Sequence, residues 1–583
     1  MKTETAIIIP PFYSPFYPQF GPVILKGYVR KHGLDFTLID MNLDFRSHLM
    51  EKIKLTTVVN PDNQQNPYDV ELILMQYFTD NMVRDVFKNI AYLSDMPGLD
   101  QFASEQFNPE VGAGLGYASI VTSRPDIVAS FVRDKKNNYY HQYLDESGYI
   151  QKVAHYKRIG FSLNSQTQVI PAFTLALRLK EIRPEIEIML GGPWVTMFAD
   201  ELTSYTPLFD FYDLLVEGEG EEPVRDILKS KNSSEYPDIA NVWYRCGNSF
   251  KRSENFFQAD LRDIPAPDYD GLDLDRYTAP RPVLIQGTRG CYWGRCAFCV
   301  HACGPKDSRA KAMRTRPFDL FISDIDTLIQ KYSPRFIAFV DVAISPNRMK
   351  RLCQAMMKRK YKIPWFAFLR FEEGFDLELL RMMHFAGCVL VNYGLESASE
   401  KVLERIEKGH NLETVRRIIS DTVKWGTSVT LHTMAGLPGE TKEELEKTIK
   451  LIQEYMPILY ESYTEIFRLE KHTKIYYDPE KYGIIKQNSQ RIFDNAIPFK
   501  NINGLSTEEA AEILDKSINL FFKENEKTIL YLGKDQSSIK AKDSFKNPSV
   551  FKAAFSARLP EGEFNDEITV STTGGRILHI EKQ

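Results

Sequence analysis

Four of the chain's seven cysteines fall in one short stretch, TRGCYWGRCAFCVHACG, at Cys291, Cys296, Cys299 and Cys303. Thiolates this close in sequence suit a soft metal, and two centres compete for them, structural zinc and an iron–sulfur cluster. Structural zinc commonly takes two separated ligand pairs, such as C-x2-C with a second pair roughly fifteen residues on, and no second pair follows here. A cluster held by only three cysteines would leave one iron open to substrate, so the place of the loop in the fold decides more than its spacing. The other cysteines, Cys246, Cys353 and Cys388, are expected to be small buried hydrophobes.

The elements that must position this loop read as two strand–helix repeats. In the first, short apolar runs at Ile7–Ile9, Phe36–Ile39, Ile159–Leu163, Ile186–Leu190 and Phe211–Val216 alternate with helical patterns at Pro22–Lys31 and Pro171–Ile182. Continuous apolar strands joined by helices mean a doubly wound parallel sheet, whose ligands lie beyond the carboxyl ends of the strands. The loops to watch are PPFYSPFYP after the first strand, Asn164-Ser165, Gly191–Trp194 and Glu217–Glu222. This domain is expected over residues 1–230, with an insertion at about 46–155 that includes a helical piece at Tyr68–Met82.

Proline punctuation in IPAPDYD and TAPRP marks residues 231–281 as a linker. A second repeat over 282–485 counts to six, with strands at Val283–Gln286, Phe336–Val340, Trp365–Leu369, Val389–Tyr393, Ser428–Met434 and Tyr463–Arg468. That repetition predicts a partial (β/α)6 barrel of the TIM type, with its site at the C-terminal ends of the strands, where the cysteine loop begins. Residues 486–583 are a C-terminal region read as mainly helical, with one helix opened by Ser506-Thr507-Glu508-Glu509.

A chain of 583 residues and 67.3 kDa exceeds one hydrophobic core, and its 43% hydrophobic and 26% charged content is that of a globular protein. A formal charge of −5 leaves no global footprint for nucleic acid. Clustered, odd-numbered cysteines argue for metal chemistry in a reducing compartment, the cytoplasm, and no apolar run has the length of a signal core or a membrane span.

Cys291, Cys296 and Cys299, with Phe298 before the last and six strand–helix units following, resemble the radical S-adenosylmethionine (SAM) enzymes. FVDVAIS at 339–345, YGLESAS at 393–399, MAGLPGET at 434–441 and the phrase KVLERIEKGH match further along, in the family's order. The resemblance implies that the three cysteines hold a 4Fe-4S cluster, that SAM chelates the fourth iron, and that one electron releases a 5′-deoxyadenosyl radical. It carries SAM binding onto Phe298, Asp341 (toward the ammonium), Glu396 (toward the ribose), Ser397, Gly436 (beneath adenine) and Arg370 (toward a carboxylate). The commonest family spacing is C-x3-C-x2-C, whereas this chain has C-x4-C-x2-C; Gly294 can absorb the extra residue, and Cys303 is read as a bystander.

The first repeat resembles the cobalamin-binding domain that precedes the barrel in one subclass, through PPFYSPFYPQFGPVILKGYVRKHG, IGFSLNSQ, IMLGGPWVT and DLLVEGEGEEP. Cobalamin contacts are carried onto Asn164, Ser165, Gly191, Gly192, Pro193 and Glu217. No histidine sits in a D-x-H-x-x-G pattern, so the resemblance implies cobalamin without a motif-supplied ligand to cobalt. The implied function is a cobalamin-dependent methyltransferase acting on an unactivated carbon of a small molecule or peptide, served by a flavodoxin or ferredoxin-type electron donor. Alternatives are a radical maturase that cyclises, epimerises or crosslinks a ribosomal peptide, and a non-catalytic cluster- and corrinoid-binding protein. No side-chain acid or base is identifiable, and neither nucleic acid nor membrane is expected as a partner.

Overall fold

The computed structural model describes residues 3–53, 124–303, 311–489, 491–524, 531–532, 568–573 and 576–582. The helix expected at Tyr68–Met82 lies outside them. Two compact units form. One comprises Met1–Val283 with Ser323–Ser333 and Gln490–Asp494; the other comprises Leu284–Ile322, Pro334–Ser489 and Asn495–Gln583.

In the first unit, β1 (Thr5–Ile9), β2 (Thr37–Asp40), β3 (Arg158–Ser162), β4 (Glu187–Gly191) and β5 (Leu214–Val216) form a parallel sheet in the order β2-β1-β3-β4-β5. All five residues of β1 are buried, as a strand covered on both faces requires. The strand order reverses beside β1, and the loops after β1 and β3 flank that switch point. A buried amide fastens these loops: Gln168 Nε2 donates to the Pro10 carbonyl (2.7 Å), while its Oε1 accepts from Gln19 Nε2 (3.1 Å) and from the Asn164 N–H (2.8 Å).

The residues read as a linker are more structured than the prolines imply. Within them, β6 (Val242–Cys246) and β7 (Ser249–Arg252) form an antiparallel hairpin that extends the sheet beyond β5. Sequence patterning missed these strands because they are short and half-exposed at a sheet edge. IPAPDYD is also pinned: Asp268 and Asp270 accept from Arg30 at 2.8 and 2.5 Å and from Lys331 at 3.3 and 3.0 Å. Cys246, expected buried, stands exposed on β6, whereas Cys353 and Cys388 are buried.

In the second unit, β8 (Pro282–Ile285) leads into the cysteine loop, which a small hairpin of β9 (Thr288–Arg289) and β10 (Arg314–Thr315) closes. The strands β11 (Phe336–Phe339), β12 (Trp365–Leu369), β13 (Cys388–Glu396), β14 (Ser428–Ala435) and β15 (Glu461–Ile466) then follow in chain order, β15-β14-β13-β12-β11-β8, and a seventh short strand, Tyr531–Leu532, pairs in parallel with β15 at the edge. This is the expected partial barrel, with helices Pro346–Lys358, Leu377–Phe385, Leu412–Lys424 and Lys442–Tyr455 between strands. The last helix opens on a complete capping box of Thr441 and Glu444. Residues beyond 486 contribute the helix Thr507–Glu524, and also short antiparallel strands, so the region is not purely helical. Among the described residues no helix is long and apolar enough to cross a membrane.

The turn after β14 is built on Glu440, which is 0% exposed. Its Oε2 accepts the N–H groups of Gly436 (2.8 Å) and Leu437 (3.3 Å). Burial pushes its carboxyl up to about 8 from 4.5, so in this window the folded chain keeps a proton that the unfolded chain releases. Stability therefore falls as pH rises through it, at up to about 1.4 kcal/mol per pH unit for one proton. Glu440→Gln keeps an acceptor oxygen and does not titrate; urea melts of the apo-protein between pH 5 and 8 should show a flatter decline than wild type.

Gly192 makes a second backbone demand. Its φ is +109°, and a Cβ would lie 2.5 Å from the Leu163 carbonyl oxygen. Gly192→Ala is expected to destabilise the first unit by roughly 1–3 kcal/mol; a denaturation midpoint equal to wild type would show that the turn relaxes.

Candidate functional site

The cysteine loop leaves the C-terminal end of β8, and Cys291, Cys296 and Cys299 influence one another electrostatically while Cys303 is outside that influence. Cys296 is buried, Cys291 and Cys299 are half-buried, and Cys303 is exposed. Burial raises the Cys296 thiol, and the neighbouring Cys291 adds to the rise. Cys299 is pushed up to about 11, chiefly by burial, with Cys296 and Cys291 contributing. Cys303 is raised by burial and eased by Lys474, outside this mutual influence.

Among the described residues no three His, Cys, Asp or Glu side chains converge tightly enough to hold a single metal ion. A tetrahedral zinc with bonds of about 2.3 Å would need sulfurs roughly 4 Å apart. A cluster bonds each thiolate to a different iron, so its ligands surround a volume and need not meet at a point. Cys291, Cys296 and Cys299 supply the three-thiolate donor set that such a cluster takes. Coordination would also remove the protons that burial now favours.

Cations face the sulfurs. Arg370, just past β12 and 4% exposed, donates from Nη1 to Cys296 Sγ (3.7 Å), from Nη2 to the Lys408 carbonyl (2.5 Å) and from Nε to Glu372 (3.2 Å). In this structure Glu372 is the carboxylate beside its guanidinium. Lys408 is paired with Glu396 at 2.7 Å, and its ammonium lies 5.8 Å from the Phe298 ring centre. Both Lys408 and Arg370 act to lower the Cys296 thiol against the effect of burial.

The segment Glu407–His410, part of the KVLERIEKGH phrase, is the hub of these contacts. The Glu407 carbonyl accepts Trp293 Nε1 at 3.0 Å, and its carboxylate accepts Lys474 (2.8 Å) and Tyr482 (2.9 Å). Lys474 also donates to the Arg295 carbonyl at 2.8 Å, so both ends of the cysteine gap are tied. His410 lies between the Gly394 and Phe371 carbonyls at 2.9 and 3.2 Å; burial, Lys408 and Arg370 push it down to about 3, which keeps it neutral.

The remaining expected SAM contacts divide. Glu396 ends β13 with φ +67° and is fixed by Lys408. A Cβ at Gly394 would lie 2.6 Å from Glu396 Oε1 and 3.0 Å from Lys408 Nζ, so a side chain there would push against this ion pair. Ser397 is fully buried and bonds Thr448 (3.2 Å), and the Gly436 N–H is taken by Glu440. Asp341 is 1% exposed: Gly287 N–H donates to both its oxygens (2.9 and 3.1 Å) and Thr288 Oγ1 to one (2.6 Å). In this structure Asp341 therefore holds the entry to the cysteine loop, and burial raises its carboxyl.

Along β13 and β14, buried residues alternate with partly exposed ones, which include Asn392, Gly394, His432 and Met434. His432 Nε2 meets Asn392 Oδ1 at 3.2 Å, and the imidazole stacks on Tyr463 of β15 at 5.3 Å and 8°. This polar and aromatic wall was not found from sequence, nor were Tyr292, Trp293, Glu372, Lys408 and His410. The KGH phrase and the wide cysteine gap were the signals pointing to most of them.

In the first unit the expected cobalamin contacts lie at the C-terminal edge of the parallel sheet. Asn164, Ser165, Gly191 and Gly192 are partly exposed there, and Pro193, exposed, opens a short helix. A Cβ on Gly191 would meet only Val216, at 3.9 Å, so its small size leaves the edge open. Gly192 is required by its own turn. Glu217 turns to the β6–β7 hairpin, accepting Trp243 Nε1 (2.9 Å) and pairing with Arg252 (3.1 Å). An edge of small and amide side chains fits a broad planar ligand laid across the strand ends, whereas Glu217 is engaged elsewhere.

Residues 285–452 match the model of the Radical SAM superfamily. A protein of Pyrococcus horikoshii described as an uncharacterised methyltransferase is 26% identical over 359 residues, which are 60% of this chain and 75% of that protein. The radical SAM methyltransferase TsrM from Kitasatospora setae, solved with tryptophan and a SAM analogue, superposes with a TM-score of 0.57 at 11% identity over 94% of this chain and 95% of its own. The cobalamin-dependent SAM radical enzyme OxsB, solved with aqua-cobalamin, gives a TM-score of 0.53 at 13% identity over 90% and 67%. These likenesses concern the fold. Residues 285–452, with the cysteine loop at their start, form a radical SAM domain.

Proposed function

We propose that this chain is a cobalamin-dependent radical SAM methyltransferase that methylates an unactivated carbon of a small molecule or peptide. The observation that carries the reading is the mutual electrostatic influence of Cys291, Cys296 and Cys299 after β8, with Cys303 outside it, under Arg370 and Lys408. The parallel sheet of the first unit, with its open edge at Ser165 and Gly191, supports the cobalamin half, as do the aqua-cobalamin named with OxsB and the cobalamin and [4Fe-4S] cluster named with a second TsrM structure.

Bound there, the cluster with SAM would supply a hydrogen-abstracting radical, and cobalamin a transferable methyl group. The chain's own residues position these reagents. Cys291, Cys296 and Cys299 would hold the cluster. Glu396, fixed by Lys408, presents an acceptor suited to ribose hydroxyls, and Phe298 an apolar flank. His432, Asn392 and Tyr463 would line the substrate wall, where a neutral imidazole and an amide can hydrogen-bond without adding charge; burial holds His432 below its usual pKa. An electron donor of the flavodoxin or ferredoxin type would reduce the cluster.

Anaerobic reconstitution tests the assignment. Wild type and Cys303→Ala should take up iron, sulfide and cobalamin, while Cys291→Ala, Cys296→Ala and Cys299→Ala should each lose most of the cluster absorbance. Intact cluster and SAM cleavage in Cys291→Ala would sink the ligand set. With reductant and substrate, methylated product alongside S-adenosylhomocysteine is expected; deoxyadenosine with an unmethylated, rearranged product would instead indicate a maturase.

A further inference from the structure

The four residues between Cys291 and Cys296 are one more than the common spacing, and each is used. Gly294 adopts φ +56° and turns the chain, with Cys291's carbonyl oxygen 3.4 Å from where a Cβ would sit. Tyr292 donates to Glu372 at 2.7 Å, and Arg295 is held through its carbonyl by Lys474. Trp293 reaches furthest. Its indole N–H is bound by the Glu407 carbonyl, and its ring fills the place of a side chain at Gly409, where a Cβ would lie 2.3 Å from Cζ2. Arg370 lies over the same ring, its Cζ 4.4 Å from the centroid.

We infer that the lengthened gap delivers Trp293 as a platform for Arg370, and that Arg370, hydrogen-bonded to the Cys296 sulfur, raises the reduction potential of the cluster. This rests on Cys296 being a cluster ligand. The guanidinium has little freedom: a ring beneath it, the Lys408 carbonyl on Nη2 and Glu372 on Nε leave Nη1 directed at Cys296 Sγ. Hydrogen bonds to ligand sulfurs are among the determinants of cluster potential. One-electron reduction adds negative charge to the cluster and its thiolates, so a fixed N–H donor bearing positive charge stabilises the reduced form more than the oxidised one. At 4% exposure Arg370 is poorly screened by water. Glu372 at 3.2 Å offsets part of its charge, which leaves the directed N–H···S contact as the main contribution.

The test is a redox titration of reconstituted protein without SAM or substrate, followed by the electron paramagnetic resonance signal of the reduced cluster. Arg370→Gln and Trp293→Ala are both expected to shift the midpoint to more negative potential. The expected change is on the order of tenfold in the reduction equilibrium, which is about 59 mV for one electron. Arg370→Lys, which keeps charge but not the fork, should fall between Arg370→Gln and wild type. If wild type and Cys303→Ala take up no cluster, the reading of the site fails and this inference with it. If they do, and Arg370→Gln and Trp293→Ala titrate with wild type, only the inference fails. Should Arg370→Gln hold no iron, Trp293→Ala carries the comparison. If neither holds iron while both keep wild-type circular dichroism, Arg370 serves assembly and the tuning role is overturned.

Discussion

The arrangement depends on one constraint: a loop with little regular structure of its own must keep Cys291, Cys296 and Cys299 in place. Between Gly290 and Cys303 the described residues form only a short 3-10 turn at Val300–Ala302, so the restraint comes from outside the loop. It comes from Arg370 at the end of β12 and from Glu407–Gly409 after β13, which grip the loop through Cys296, Trp293 and, by way of Lys474, Arg295. Successive strands of a parallel barrel end at one rim, and their following loops are neighbours there whatever their distance in sequence.

Charge follows from the same geometry. Arg370 and Lys408 are nearly buried, and each has a carboxylate, Glu372 or Glu396. Buried cations left unpaired would carry a desolvation penalty of several kcal/mol. Paired, they add donors near the sulfurs without a large net charge. His410, between two carbonyls and two cations, is kept neutral by burial and by those cations.

Much of the fold was legible in the sequence because parallel strands buried on both faces leave continuous apolar runs. The runs at Ile7–Ile9, Phe336–Val340 and Trp365–Leu369 became β1, β11 and β12 with shifts of two residues or fewer at each end. The edge hairpin β6–β7 was not legible, since a half-exposed strand need not be apolar. The same limit applies to polar site residues. Asp341 and Glu217 were recognisable as carboxylates at strand ends, but the neighbours they meet in space were not: the Gly287 N–H and the Thr288 hydroxyl for Asp341, an edge hairpin for Glu217.

The sequence by itself determined the two strand–helix repeats, the cysteine cluster at the end of the first barrel strand, and the turn glycines, because these depend on local periodicity, spacing and backbone conformation. Tertiary structure alone decided which cations reach the sulfurs and which neighbours the residues of the first gap meet. Those are contacts across dozens of residues: Trp293 meets Gly409, and Arg370 meets Cys296. No local pattern encodes such a meeting; it exists once the strand ends share a rim.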